Sequence, residues 1–276
     1  MASLGHRLDL AKLNSMTKYP SIPTYHKMDP EGMLLEDQPT IFQGSVVVTE
    51  KIDGCNARII MLPDRSYILG SREELLYGGG DLIRNPAHNI VETLDPIAAR
   101  MSDWWRSDVP ITVFYGEVYG YPVRAGAWGN YTERKDLIGF RLFDVVTIGP
   151  SKFEELRQLD RDQIALWREG GGQDFATEAG LKLWAQGHSL DLVPRWDVNA
   201  PLPTGLVEMR DWMIDQLPVS RARLSPSGSG VSEGLVLRSA ARSLIVKARF
   251  ADYASTLRRM NGPLRGPRKT PAPAAA

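Results

Sequence analysis

One short stretch, residues 46–60, constrains the chain most strongly. Two apolar, β-branched runs flank a polar segment, and this pattern predicts a strand, a tight turn and a second strand that together form a hairpin. Lys51 ends the first run between the carboxylates of Glu50 and Asp53, and Gly54 allows the backbone to approach a ligand closely. A solvent-exposed hairpin tip has the same pattern, so the function of Lys51 depends on the residues further along the chain.

The composition is that of a globular chain with one generous core or two modest ones, since 43% of its 276 residues are apolar. The chain has no apolar run of membrane-spanning length and no charged-then-apolar leader, so we expect a soluble, unexported protein. The single cysteine, Cys55, excludes an internal disulfide and a cysteine-based zinc cluster, which favours a reducing, cytoplasmic location. The four histidines lack the spacing of metal ligands.

The charges are distributed unevenly along the chain although the net charge is zero. Residues 221–276 hold eleven Lys or Arg residues and two acidic ones, a balance of +9, whereas residues 1–220 carry the opposite balance of −9. This asymmetry predicts a basic face for a polyanion such as a nucleic acid. A C-terminal segment that serves only solubility is the alternative.

Apolar spacing and turn residues predict the remaining elements. Helices are expected near 8–13, over 89–105 with Trp104 on the buried face, from a Ser151–Glu154 capping box towards Gly170, and roughly over 175–186 and 204–216. A strand is expected at 67–74, and glycine-rich loops are expected at 78–80 and 226–230. We interpret residues 1–260 as one domain and residues 261–276, which are rich in Pro, Ala and Arg, as a disordered tail.

Four later strands carry charged residues inside or beside apolar runs. Glu117 lies within the run 111–120 and Asp144 within 140–146. Glu233 opens the run 232–238, and the alternation in 244–250 places Lys247 and Arg249 on one face. Burying a carboxylate is costly unless a cation, a metal ion or a hydrogen-bond donor meets it. These strands therefore predict a site rather than a plain core.

The order of these charged residues resembles that of the covalent nucleotidyltransferase superfamily, which comprises polynucleotide ligases and mRNA capping enzymes. The resemblance spans about residues 18–255 and rests on six segments in the family's order: Lys51-x-Asp53-Gly54, Ser71-Arg72, Tyr115-Gly116-Glu117-Val118-Tyr119-Gly120, Phe143-Asp144, Glu233-Gly234-Leu235-Val236 and Lys247-x-Arg249. It implies an α+β fold, a nucleotidyltransferase (adenylation) domain of two largely antiparallel sheets with flanking helices around a nucleotide cleft.

The resemblance also implies the chemistry. A lysine attacks the α-phosphate of ATP to form lysyl-AMP only when unprotonated, and desolvation and nearby cations lower the ordinary lysine pKa of about 10.4. Mg²⁺ (or Mn²⁺) and fixed cations would stabilise the charge on the phosphate. The implied roles are nucleophile for Lys51; phosphate contacts for Lys247, Arg249 and Arg72; metal binding or orientation of Lys51 for Glu233 and Asp144; ribose binding for Glu117; and adenine stacking for Phe143. Glu50 and Asn56 complete the implied nucleotide-binding set.

Asn56 indicates the subfamily. The pattern Lys-x-x-Gly-x-Asn, with Lys18-Tyr19-Pro20-Ser21-Ile22 upstream, is similar to the second phage-type RNA ligase family, which includes the kinetoplastid RNA-editing ligases. Asp53 and Arg249 depart from that family, in which histidine and lysine are usual. The resemblance implies an ATP-dependent RNA ligase that transfers AMP to a 5′-phosphate and seals it to a 3′-hydroxyl, in RNA repair or editing. A minimal DNA nick ligase and a non-catalytic RNA-binding protein on a decayed ligase scaffold are the alternatives, and a capping guanylyltransferase fits less well.

Length and local context leave other interpretations open. Only 27 residues follow Arg249, which is too few for the C-terminal domain of many ligases, so we expect a catalytic domain alone unless a separate protein supplies that domain. Each candidate also has a purely structural interpretation: a strand-edge carboxylate for Glu117 and Asp144, a core ring for Phe143, a surface charge for Arg58, Arg238 and Arg242, and a small filling residue for Cys55.

Overall fold

Two antiparallel sheets form the framework of the chain. The computed structural model describes residues 8–84, 88–124 and 126–260. The strands are β1 (His26–Met28), β2 (Leu34–Pro39), β3 (Ser45–Lys51), β4 (Cys55–Met61), β5 (Tyr67–Ser71), β6 (Leu75–Gly78), β7 (Asp81–Leu82), β8 (Ile111–Gly120), β9 (Ile138–Ile148), β10 (Asp174–Phe175), β11 (Arg195–Asn199), β12 (Gly234–Ser239) and β13 (Ile245–Arg249). A seven-stranded sheet has the order β10-β9-β8-β4-β5-β6-β7, a four-stranded sheet has the order β11-β3-β12-β13, and β1 pairs with β2.

Helices cover the faces of these sheets and confirm the expected α+β architecture. They are α1 (Leu10–Thr17), α2 (Ile90–Trp104), α3 (Pro150–Gln158), α4 (Arg161–Glu169), α5 (Glu178–Gly187), α6 (Leu206–Gln216) and α7 (Phe250–Met260). Successive residues of β4 point to opposite faces of the seven-stranded sheet, so Ile59 packs in a cluster with residues of α2 and α5, and Ile60 packs in another with residues of α1, α3 and α4. A separate cluster joins α6 and α7 to the four-stranded sheet.

The predicted hairpin around Lys51 is wrong, although its two strands and its turn are present. β3 pairs with β11 and β12 in the four-stranded sheet, whereas β4 pairs with β5 and β8 in the seven-stranded sheet. The three residues Ile52–Gly54 therefore cross from one sheet to the other. A hydrophobic pattern reports which residues form strands, but pairing partners from distant parts of the chain decide which sheet each strand joins. The crossing places Lys51 where the two sheets meet.

Two helix predictions also need correction. The segment from Ser151 to Gly170 forms two helices, and the capping box belongs to Asp160 and Gln163 at the start of α4. In α2 the predicted spacing holds, but Trp104 is exposed and the neighbouring Trp105, just beyond the helix, is buried. The predicted disorder of 261–276 lies outside the described residues. No helix in the described part of the chain is long and apolar enough to cross a membrane.

Candidate active site

The two sheets enclose a cleft of about 700 Å³ that brings all the predicted site residues together. Its lining includes every residue that the resemblance selected: Glu50, Lys51, Asn56, Arg72, Glu117, Phe143, Asp144, Glu233, Lys247 and Arg249. These residues come from both sheets, since Asn56 and Glu117 belong to the seven-stranded sheet and Lys247 belongs to the four-stranded sheet. The sequence order of the segments thus corresponds to one location in the fold.

Lys51 and Glu233 form an ion pair at the base of the cleft. Gly234, the first residue of β12, lies opposite Lys51 in the ladder, so the preceding Glu233 is held beside the lysine. The Glu233 backbone N–H donates to the Lys51 carbonyl at 3.1 Å, and the Lys51 Nζ contacts Glu233 Oε2. Each side chain keeps about a quarter of its surface exposed, at 27% and 26%. The pair is therefore fixed by the sheet and open to a ligand.

Cations surround this pair on the side of the four-stranded sheet. Burial, followed by the charges of Arg249, Lys51 and Arg72, lowers the pKa of Lys247, which shows that positive groups converge on it. Arg249 Nη1 lies 3.8 Å from Glu233 Oε1, while its Nε and Nη2 each donate to Asp252 at 2.8 Å. This cluster of like charges suits a polyanionic ligand such as a triphosphate.

Carboxylates lie on the opposite side of Lys51. Glu117 of β8 faces Asn56 of β4 across the ladder. The pKa of Glu117 is raised to about 8: burial is the largest cause, Glu233 and Asp53 also raise it, and Lys51 and a hydrogen bond from the Gly54 N–H partly offset the rise. A Cβ at Gly54 would clash with the backbone oxygen of Val118, so the close approach of the turn to β8 requires glycine.

The other part of the cleft is apolar and aromatic. Phe143 of β9 lines it together with Pro20, Ile22, Val236 and Ile245. The ring of Tyr19 packs edge-on against Phe143, with centroids 5.1 Å apart at an interplanar angle of 79°. Phe143 is half-buried at the cleft wall. Its contact with Tyr19 fixes the orientation of the ring, as stacking on a base requires.

Asp144 occupies a different environment from the one predicted for a metal ligand. It is fully buried, and its Oδ2 accepts from the Tyr19 hydroxyl at 2.7 Å and from Arg242 Nη2 at 2.8 Å, while Oδ1 accepts from Arg238 Nη1 at 3.2 Å. Two guanidinium groups and a phenol thus take up the oxygens that a metal ion would need. This geometry does not support a metal-binding role for Asp144 and favours a structural one beside Phe143.

Asp144 belongs to a longer buried ion chain that joins the two sheets. We use this name for five residues in consecutive contact: Arg195, Glu178, Arg238, Asp144 and Arg242. Arg238 bridges Asp144 and Glu178 at 3.2 and 2.7 Å, and Arg195 binds Glu178 at 2.9 Å. Asp144 comes from the seven-stranded sheet, whereas Arg195 and Arg238 come from the four-stranded one. The chain therefore fixes the two walls of the cleft relative to each other.

Glu50 is also engaged within the protein. Its side chain is buried, and its oxygens accept from the Ser232 hydroxyl, from the Ser220 hydroxyl at 2.5 Å and from the Arg221 backbone N–H at 2.8 Å. These contacts tie the loop that precedes β12 to the strand that carries Lys51. They support the site from the residue that precedes Lys51, and the predicted role of Glu50 in nucleotide binding stays a prediction.

Three arginines for which a surface charge was one interpretation have buried side chains. Arg58 and Arg238 are at most 2% exposed, and Arg242 binds Asp144 inside the protein. Within the basic C-terminal quarter, Arg238 and Arg242 are internal, whereas Lys247 and Arg249 line the cleft and Arg221 and Arg223 are exposed. A local clue to this was available, since Arg238 ends a strand whose other residues are largely apolar.

The residues at Lys51 fit a divalent ion that is carried by a nucleotide. Mg²⁺ is commonly held by one or two carboxylates together with substrate phosphates and waters. Glu233 supplies such a carboxylate beside Lys51, and Asn56 Oδ1 is buried with no hydrogen-bond partner among the described residues. Within those residues, no three His, Cys, Asp or Glu side chains are grouped to hold a metal by themselves.

Comparison with known proteins agrees with this site. The RNA ligase family model matches residues 44–251, which contain every segment from Lys51 to Arg249. No curated protein sequence matches the chain. Among solved structures, a Naegleria gruberi RNA ligase with pyrophosphate superposes with a TM-score of 0.52 at 14% identity, covering 87% of this chain and 58% of the ligase.

Two variants of the same ligase give similar results. An unliganded variant has a TM-score of 0.53 at 12% identity over 90% of this chain and 59% of its own, and a variant with AMP and Mn has a TM-score of 0.50 at 14% identity over 86% and 63%. The present chain thus spans less than two thirds of the length of these ligases. Such likeness establishes a shared fold, and the family model covers most of the sequence. The chain belongs to the RNA ligase family, within the covalent nucleotidyltransferase superfamily.

Proposed function

We propose that the protein is an ATP-dependent RNA ligase that acts through a lysyl-AMP intermediate on Lys51. The observation that carries this proposal is the Lys51–Glu233 pair, held by two strands between a group of cations and an aromatic wall. Similar solved ligases were captured with pyrophosphate and with AMP and Mn, which supports a nucleotide as the ligand.

In the first step the Lys51 Nζ attacks the α-phosphorus of ATP. The P–N bond forms as the bond between the α-phosphorus and the bridging oxygen breaks, and pyrophosphate leaves. Glu233 Oε2 contacts Nζ and is placed to accept its proton. Lys247, Arg249 and Arg72 stabilise the negative charge that develops on the phosphates. A bound Mg²⁺ or Mn²⁺, held by Glu233, would add further charge stabilisation.

In the next steps the nucleotide moves from protein to polynucleotide. An oxygen of a 5′-phosphate attacks the phosphorus of lysyl-AMP and releases the Lys51 amine. A 3′-hydroxyl then attacks that 5′-phosphate, the new phosphodiester forms, and AMP leaves with its phosphate. Phe143 stacks on the adenine, Glu117 binds the ribose hydroxyls, and Asn56 completes the nucleotide-binding set.

RNA is proposed as the substrate on the basis of the family and of Asn56 in the second phage-type pattern. A DNA nick ligase of the same superfamily would use the same chemistry. Whether a separate protein supplies a substrate-binding domain remains a prediction from the sequence.

Two assays test the proposal in order. Incubation with Mg²⁺ and ATP labelled in its α-phosphate should label the wild-type protein, and Lys51→Ala should abolish the label while Lys27→Ala, an exposed lysine of β1, retains it. Matched nicked duplexes with RNA or DNA on the 3′-hydroxyl strand then define the substrate. Absence of label in the wild type would contradict the enzyme, and equal sealing of all-DNA nicks would contradict the choice of RNA.

A further inference from the structure

Two loops flank Lys51 at the same end of the sheets. The first connects β8 to β9 and is described at 121–124 and 126–137; the second, 218–232, leads into β12. Lys51 pairs with Gly234 at the start of β12, and Cys55 at the start of β4 pairs with Val118 near the end of β8. Each sheet therefore contributes one loop next to the nucleophile.

The two loops bind each other, and we call them the paired loops. The Leu224 N–H donates to the Tyr131 carbonyl at 2.9 Å, and the hydroxyls of Thr132 and Ser225 are 2.9 Å apart. A Cβ at Gly228 would clash with the backbone of Tyr131, so the loops are in close contact. They form one surface rather than two independent segments.

This surface is attached to the residues on both sides of Lys51. On one side the Tyr131 hydroxyl accepts from the Asp53 backbone N–H at 2.6 Å. On the other side the Glu50 carboxylate holds the second loop through Ser220 and Ser232. The paired loops consequently have a fixed position relative to the nucleophile, which a docking surface for a substrate end requires.

Exposed cations and partly exposed aromatic rings occur together on the paired loops. The exposed cations in the described loop residues are Arg124, Arg134, Lys135, Arg221 and Arg223, against the acidic residues Glu133 and Asp136. The rings of Tyr121 and Trp128 pack edge-on with centroids 5.2 Å apart, and Lys135 Nζ lies 5.7 Å from the Tyr121 ring. Phosphate backbones are bound by cations, hydroxyls and backbone N–H groups, with aromatic rings available for unpaired bases.

The neighbouring turn has an acidic surface, in contrast to the paired loops. The turn after β5 also borders the cleft and exposes Glu73 and Glu74 beside Arg72. Residues 1–220, which include the first loop, carry a balance of −9, so the exposed cations of the paired loops contrast with an acidic remainder. Among the surfaces that border Lys51, the paired loops have the charge that a polynucleotide needs.

We propose that the paired loops hold the phosphate backbone of the polynucleotide whose end is joined at Lys51. This inference rests on the proposed function, because a 5′-phosphate can reach AMP on Lys51 only if the adjoining nucleotides lie against the neighbouring surface. It adds a location for substrate binding within this chain, on two loops that carry none of the residues assigned to the nucleotide.

A double charge reversal tests the proposal. Arg124 and Arg134 are engaged by Asp53 and Asp136, so Lys135→Glu/Arg223→Glu is the variant of choice. Its matched control, Lys27→Glu/Arg100→Glu, has the same change in charge at exposed positions of β1 and α2. For the wild type and both variants, we would measure self-adenylation, and binding of a fluorescent nicked RNA duplex by anisotropy from about 50 mM to about 200 mM salt.

We expect all three proteins to adenylate equally, while the loop variant binds the duplex at least about tenfold more weakly. The slope of its log binding constant against log salt concentration should be smaller in magnitude by about 2 than that of the wild type. The control should remain within about twofold of the wild type. The proposal would be overturned if the loop variant and the control variant bound the duplex equally well, with or without a loss relative to the wild type, or if the wild type showed no detectable binding. If the loop variant kept wild-type affinity for the duplex, a protein partner would be the remaining candidate for this surface. Failure of the wild type to adenylate would overturn the proposed function instead.

Discussion

At the scale of single residues, Glu233 has two roles that can be separated by experiment. Its backbone continues the ladder beside Lys51, and its carboxylate contacts the lysine amine and lies 3.8 Å from Arg249. An amide of the same shape keeps the backbone role and removes the charge. The consequence for activity therefore reports on the carboxylate alone.

We expect Glu233→Gln to slow self-adenylation by about 10²-fold or more, since a neutral amide can neither accept the lysine proton nor hold the charged amine as strongly. The measurement is the rate of labelling by ATP under single-turnover conditions. Glu73→Gln is the control, because that carboxylate borders the same cleft but is 66% exposed, and its rate should stay within about twofold of the wild type. A wild-type rate for Glu233→Gln would limit this residue to a structural role.

Glu117 provides a prediction for pH. Burial is the largest cause that raises its pKa to about 8 in the folded protein, above the ordinary value of about 4.3 in the unfolded chain. Between these values the folded state binds more protons than the unfolded state, so the Glu117 contribution to stability is present at low pH and is lost as the pH rises through about 8. Glu117→Gln removes this contribution. The stability of the wild type relative to this variant should therefore fall between about pH 5 and about pH 8.5 in denaturant titrations; a constant difference would contradict the prediction.

Residue types and order were sufficient to predict which side chains line the cleft, and the roles assigned to those side chains stay predictions. Asp144 and Glu50 were assigned to metal and nucleotide, and both are engaged by distant parts of the chain. The partner Arg238 follows Asp144 by 94 residues, and Ser220 follows Glu50 by 170. A carboxylate next to a site motif looks the same in the sequence whether it meets a ligand or a buried arginine, because only the fold supplies the partner.

At the scale of elements, strand existence was predictable and strand pairing was not. The runs around Lys51, Glu117 and Lys247 became strands at the expected places. The strands on either side of Ile52–Gly54 nevertheless belong to different sheets, since β3 pairs with β11 and β12 whereas β4 pairs with β5 and β8. That separation creates the cleft, and the buried ion chain then holds the two sheets together.

The buried ion chain leads to a prediction of stability. Replacing Arg238 by methionine preserves much of the volume but leaves Asp144 and Glu178 without their shared partner, and breaking a buried pair costs about 3–5 kcal/mol. We expect Arg238→Met to lower the free energy of unfolding by about that amount in chemical denaturation. Arg210→Met is the control, because the Arg210 side chain on α6 is partly exposed, at 37%, beside Asp211, and it should change stability by no more than about 0.5 kcal/mol. A small loss at Arg238 would show that the two sheets are held mainly by apolar packing.

At the scale of the whole molecule, the cleft that we propose for the nucleotide is shared between two sheets that each pack against hydrophobic clusters of their own. The seven-stranded sheet provides Phe143 and Glu117, and the four-stranded sheet provides Lys51 and Lys247. A ligand in the cleft therefore contacts both halves, and its binding free energy adds to the contacts that join them. Unfolding of either half would expose one wall of the site and release the ligand.

This arrangement predicts that an ATP analogue unable to transfer AMP stabilises the entire chain. At about 100 times its dissociation constant, such a ligand should add about 2.7 kcal/mol to the free energy of unfolding. Phe143→Ala and Lys247→Ala, one from each sheet, should each reduce this gain at the same ligand concentration because each removes contacts to one end of the nucleotide. Phe153→Ala, in α3 outside the cleft lining, should lower stability without changing the gain. If either cleft variant kept the full gain in thermal or denaturant unfolding, the nucleotide would be bound by one sheet alone, and the shared site would be disproved.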